Sequence, residues 1–277
     1  MVGHLGAAPS VSPIRTARIA VFLVPDMNVC VLRGINVVIF ATLPMSNWKS
    51  LLIVYRRIDV RIPVGGSREN RFAYELTDDE LADALNSFRA FPPLAEDLSG
   101  GAATVTYEIA VAGEPLTSVT PSGDNLFWPS PDDTRKEIDT FAPPGRYNSV
   151  FILWPGTDFV SGASVPCPGW GLGMEPSAWS NDATYAVVGN ALSWAWNIPV
   201  VGEVWLHEWL HGVCRIFAQM GVAMPVGDAD AGGSHGYVQS KITGWTDFYR
   251  DLMTGQVLED GMRKGITPEA WRSWPPG

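Results

Sequence analysis

The sequence predicts an α+β fold, one mixed sheet with helices packed against it. Three observations predict it. Alternating or continuous apolar segments of strand length recur along the chain, one strong amphipathic helix stands out after residue 203, and the two kinds are interspersed without a regular βαβ alternation. With 46% apolar and 17% charged residues, the 277-residue chain reads as globular and long enough to bury a sizeable core.

Residues 1–16 read as a loose tail and residues 17–277 as a single domain, with 17–64 open to description as an N-terminal strand extension. Strand-like segments fall at 17–24 and 35–42. Arg57, Asp59 and Arg61 alternate with Ile58, Val60 and Ile62, the period of a half-buried strand. Thr77-Asp78-Asp79-Glu80 is a capping box, followed by Leu81, Leu85 and Phe88 on one helical face. Pro92-Pro93 should interrupt that helix, and Gly100-Gly101 marks a turn. Val105, Tyr107, Ile109 and Val111 alternate as another strand. Ser130-Pro131 opens a short helix that ends before Pro143. The run from Val150 to Trp154 suits a strand buried on both faces. Residues 156–183, rich in Gly, Pro and Ser, form a long loop of the kind that carries function. A strand at 184–188 follows. Glu203 to Met220 is a helix closed by Gly221. Two more helices are expected near 244–253, with Trp245, Phe248 and Leu252 on one face, and from Pro268, capped by Thr267.

Composition excludes several classes. A net charge of -10 without a dense Lys/Arg run argues against a nucleic-acid partner. No apolar run approaches a membrane span: Ile19 to Val24 is stopped by Pro25 and Asp26, and Ile35 to Leu43 is short. Arg15 and Arg18 precede an apolar segment without a clean cleavage signal, so no signal peptide is read, although the acidic surface suits a secreted protein. Cys30, Cys167 and Cys214 allow one disulfide at most. The twelve Trp are read as core rather than as an aromatic cleft. Gly171-Leu172-Gly173 lacks the third Gly of a dinucleotide loop, and no serine nucleophile elbow or Walker loop is present.

The chemistry concentrates in Val204-Trp205-Leu206-His207-Glu208-Trp209-Leu210-His211, which contains HExxH. Helical residues four apart lie about 40° from eclipsed, so both imidazoles project from one side and can grip a single metal ion. Glu208 sits beside them as general base for an attacking water. Leu206, Leu210, Val213 and Phe217 form the stripe that would anchor this helix, and Cys214 is read as a small buried filler. Three of the four His, including His235, lie in one short stretch.

These residues resemble the zincin superfamily of metallopeptidases, specifically over about residues 184–237. The resemblance implies Zn²⁺, a sheet whose edge strand holds an extended substrate, an active-site helix beneath it, and a third ligand beyond that helix. Metzincins would have Gly at 214 and His at 217, where this chain has Cys214 and Phe217. Thermolysin-like enzymes would supply a Glu from a later helix, for which Glu259 is the candidate. Gly227-Asp228-Ala229-Asp230 is similar to the Gly-x-x-Asp of aspzincins, where the Asp is a ligand. The stretch is also similar to uncharacterised bacterial HExxH proteins with an Asp/His-rich turn and a Gly-Tyr pair, here Gly236-Tyr237. The third ligand stays open between Asp230 and His235, with Asp228 a further candidate, and Tyr237 is placed to donate to an oxyanion. The expected protein is a monomeric zinc metallohydrolase, an endopeptidase with a peptide or protein substrate walled by the 156–183 loop and the 184–188 strand. The alternative is a non-catalytic extracellular module, binding a ligand such as a glycan, with a structural metal. An open coordination position favours the enzyme, a fourth protein ligand the module.

Overall fold

A computed structural model describes residues 46–63, 68–123, 125–167, 169, 171–190 and 198–274. They fall in a compact unit spanning residues 44–277. The expected tail, the strands at 17–24 and 35–42, and Cys30 lie outside the described residues. The class is α+β, as the sequence predicts.

The main sheet is built from β1 (Ser46–Val54), β4 (Ala103–Val111), β7 (Ser149–Trp154), β8 (Gly171–Met174) and β9 (Thr184–Gly189), in the order β4-β1-β7-β9-β8. The first four in that order are mutually parallel, and β8 runs antiparallel to β9 at the edge. Successive side chains of a strand point to opposite faces, so the continuous apolar runs divide between two cores. Trp48, Leu52, Val54, Phe151, Leu153, Ala186 and Val188 enter one. Leu51, Ile53, Val150, Ile152, Trp154, Tyr185 and Val187 enter the other. Every residue of β7 is buried, as its composition requires.

The second core is closed by an antiparallel hairpin of β2 (Arg57–Pro63) and β3 (Glu69–Glu75). Ile58, Val60 and Ile62 point in from this hairpin, while Arg57 and Arg61 stay in water. Two short strands, β5 (Thr120–Pro121) and β6 (Phe127–Trp128), precede α2 (Arg135–Phe141) on this side, which contributes Ile138. This helix starts later than the expected Ser130-Pro131, because the Asp133 carboxylate accepts from the Ser130 amide at 2.8 Å and holds a turn there.

The first core is closed by α1 (Asp78–Leu98), α3 (Glu203–Gln219), α4 (Thr246–Thr254) and α5 (Pro268–Arg272). The capping box at Thr77 and Glu80 is present in both directions. The interruption expected at Pro92-Pro93 does not occur; α1 continues through both prolines to Leu98. Each proline removes one backbone bond and crowds the preceding turn. Phe88, Phe91, Pro92, Ala95 and Leu98 are buried along one face, however, and that packing outweighs the local cost. A hairpin of β10 (Val257–Glu259) and β11 (Met262–Lys264) links α4 to α5, whose Thr267 cap accepts from Ala270 N as expected. Trp48, Trp154, Trp205, Trp209 and Trp271 are fully buried, so much of the Trp load is core. No helix among the described residues is long and apolar enough to cross a membrane.

Candidate metal centre

Between Glu203 and Phe217, every residue of α3 is buried except His207, His211 and Arg215. The spacing of four brings those three onto one line. The rest of the helix is sunk in the first core by Leu206, Leu210, Val213 and Phe217, joined by Trp205 and Trp209. Neither indole N–H is orphaned: Trp205 donates to Ser87 Oγ at 3.2 Å and Trp209 to Ser149 Oγ at 3.1 Å. Cys214 is wholly buried, and both it and Cys167 are free thiols.

The two imidazoles meet through their Nε2 atoms, 3.3 Å apart. His207 Nε2 lies 3.3 Å from Asp230 Oδ1, and His211 Nε2 lies 3.8 Å from Asp230 Oδ2. Glu208 Oε1 is 3.9 Å from His207 Nε2. His207, Glu208 and His211 offer atoms within 4.8 Å of one another, close enough to hold a metal ion. Asp230 comes from a short 3-10 helix, Asp228–His235, folded back against α3. The far nitrogens are also engaged. His207 Nδ1 shares a hydrogen bond of 2.8 Å with the Tyr249 hydroxyl. His211 Nδ1 faces Asp228 Oδ2 at 4.0 Å, and that carboxylate lies 3.7 Å from Arg215 Nε. Groups of this kind fix which ring nitrogen is free to bind.

Burial lowers the pKa of His207, outweighing its hydrogen bond to the Asp230 carboxylate, which raises it. Neutral imidazole is the form that binds metal. The hydrogen bond with His207 holds Asp230 below the usual carboxylate range. Burial, and next the Asp230 charge, push Glu208 well above the ordinary Glu value.

Over α3 lies β8. A Cβ on Gly171 would stand 2.9 Å from Glu208 Cγ, and one on Gly173 would stand 2.7 Å from His211 Cβ. From the helix side, a Cβ on Gly212 would stand 2.5 Å from the Met174 carbonyl oxygen. Glycine on both surfaces is what lets strand and helix approach this closely. They border an open cleft of about 550 Å³, closed on its other sides by Asp230, Trp245 and Tyr249. The 156–183 loop thus contributes one wall of this cleft, through β8. The 184–188 strand does not: as β9 it is interior, flanked by β7 and β8.

No family model and no curated protein matches this chain.

Of the sequence-predicted site residues, the structure brings together His207, Glu208, His211 and Asp230, with Asp228 just behind. His235 is held elsewhere, its Nε2 3.1 Å from the Val226 carbonyl oxygen and its ring stacked near Phe248. Glu259 pairs with Lys264 and accepts from the Val226 amide at 3.1 Å. Tyr237 donates to Asp251 Oδ2 at 2.6 Å and packs on Phe248, so its phenol is committed away from the imidazoles. Sequence reasoning missed Tyr249, which lies 42 residues beyond His207. Its one signal was position, a turn after Trp245 on a helix already expected there. The small pair Gly171 and Gly173 was weighed only as a failed cofactor loop.

Proposed function

We propose that this cleft is the active site of a zinc-dependent hydrolase of the zincin type, an endopeptidase acting on peptide or protein substrates. The observation that carries the reading is the spacing of three donors. A tetrahedral ion with bonds of about 2.0–2.1 Å sets its ligands about 3.3 Å apart. The two Nε2 atoms stand 3.3 Å apart, with Asp230 Oδ1 3.3 Å from that of His207 and Asp230 Oδ2 3.8 Å from that of His211. Two imidazoles and one carboxylate suit zinc, and three protein ligands leave one position open.

When bound, zinc supplies Lewis acidity that makes water a competent nucleophile at neutral pH. Glu208 takes the proton of the attacking water and passes it to the leaving amine. Its buried position beside the two imidazoles supports that role, since a general base must stand within reach of the water it activates. Along its outer edge β8 has backbone groups unpaired within the sheet, against which an extended peptide can lie. The acidic net charge suits a secreted monomer with no nucleic-acid partner.

The test is elemental analysis of protein never exposed to chelator, combined with hydrolysis of a mixed peptide library. One zinc per chain and chelator-sensitive cleavage are expected. A preparation without stoichiometric transition metal sinks the reading. Stoichiometric metal with no cleavage, and retained binding of a glycan, would return the binding module.

A further inference from the structure

Glu203 opens α3 one turn before His207 and is wholly buried, 0% exposed. Its Oε1 accepts the Trp245 backbone N–H at 2.6 Å, while Oε2 is buried with no hydrogen-bond partner. Gly244 takes the left-handed conformation against it (φ +56°), and a Cβ there would fall on the carboxylate itself. Such a group is costly for the fold. A buried, half-satisfied carboxylate destabilises a protein compared with an apolar side chain of the same shape.

What the cost maintains is a closed circuit. The Trp245 amide that Glu203 holds stands at the start of α4. The carbonyl of Trp245 accepts from the Tyr249 N–H at 3.0 Å. The Tyr249 hydroxyl meets His207 Nδ1 at 2.8 Å. One turn of α3 then leads from His207 back to Glu203. A shift of the Gly244-Trp245 corner therefore moves the Tyr249 hydroxyl relative to His207, and moves Trp245, which walls the cleft.

We propose that Glu203 is a positioning residue for the metal centre, acting through Trp245 and Tyr249 to orient the imidazole of His207. This rests on the metal reading above. Loss of the group that orients a metal-binding histidine typically weakens affinity 10–100-fold, so that is the size of effect to look for.

Zinc affinity is measured by competition with a chromogenic chelator, beside the melting temperature of the metal-free protein. Glu203→Met removes the acceptor and the buried charge while keeping the volume. It should bind zinc about 10–100-fold more weakly, with a melting point equal to or above that of wild type. Glu203→Gln retains an acceptor for Trp245 N–H and should bind zinc nearly as wild type does. Tyr249→Phe should lose affinity like Glu203→Met, and the double variant should lose little more than either alone. If Glu203→Met does not fold, Gly244→Ala displaces the carboxylate from the other side and should show the same loss. Wild-type affinity in a folded Glu203→Met or Gly244→Ala protein overturns the proposal, as do losses that multiply in the double variant. A wild-type protein that takes up no zinc overturns the metal reading itself, a distinguishable result.

Discussion

Glu208 and Asp230 are both carboxylates beside His207, yet their surroundings differ, in line with the two roles proposed for them. Asp230 is exposed and held by His207, and its pKa is lowered, as suits a permanently charged ligand. Glu208 is buried beneath β8, and burial raises its pKa. Glu208→Gln should therefore keep zinc occupancy and the fold while cutting turnover by roughly 10²–10⁴-fold; single-turnover cleavage at the wild-type rate would remove Glu208 as the base. Asp230→Ala should weaken zinc binding strongly and His235→Ala little, measured by equilibrium dialysis. Equal retention in both would break the three-donor site. Glu203 titrates on its own account, because burial raises its pKa to about 7 despite the Trp245 hydrogen bond. Its folded value exceeds the unfolded one near 4.5. The folded state thus holds the extra proton between those values, and stability falls as pH rises through that window. In metal-free protein, Glu203→Gln should show an increasing melting-point advantage from pH 5 to pH 8. A constant difference across that range would mean that Glu203 does not titrate there.

At the scale of elements, the cleft depends on β8 lying directly on α3. Gly173→Ala places a methyl group against His211 Cβ and the Glu208 backbone, and relief requires the strand to lift. Overpacking of this kind typically costs 1–3 kcal/mol. The variant should melt lower and lose kcat/KM, because the strand and the proposed general base move apart. A Gly173→Ala protein with unchanged melting point and turnover would show that the contact is not needed. Several elements were legible because their signals are local. The Thr77 capping box and the alternation from 57 to 62 use only neighbouring residues, and both appear as expected. Pro92-Pro93 was misread because a local penalty was weighed without the core that α1 packs against. The strand β8 was not legible at all, since Gly-Leu-Gly-Met has no strand propensity and is ordered by pairing with β9.

For the whole molecule, metal should link to stability. A ligand at a hundred times its dissociation constant stabilises the folded state by about 2.7 kcal/mol, or roughly 5–10 °C in a domain of this size. Chelator should lower the melting point by that amount and added zinc restore it, as read by calorimetry. Indifference to both would mean that the site does not bind metal in the native state. The anchoring of α3 places the same demand on the core. Trp209 lies 5.4 Å from Trp48 and 5.8 Å from Trp271, ring to ring. Trp209→Ala should cost about 3–5 kcal/mol and release the metal-binding face with it.

The sequence by itself determined the α+β class and the helix that groups His207, Glu208 and His211, because helical periodicity and the i, i+4 geometry are properties of one continuous segment. It placed Asp230 and His235 five residues apart and left both eligible as the third ligand. Only the tertiary structure sets Asp230 beside the two imidazoles and His235 away from them, since that depends on how the Asp228–His235 turn docks on α3 and on which side chain Val226 and Phe248 claim. The Tyr249 hydroxyl on His207 and the Glu203 carboxylate on the Trp245 amide were placed the same way. Tyr249 lies 42 positions beyond His207 and Trp245 lies 42 beyond Glu203, and long-range packing alone brings that hydroxyl to the imidazole and that amide to the carboxylate.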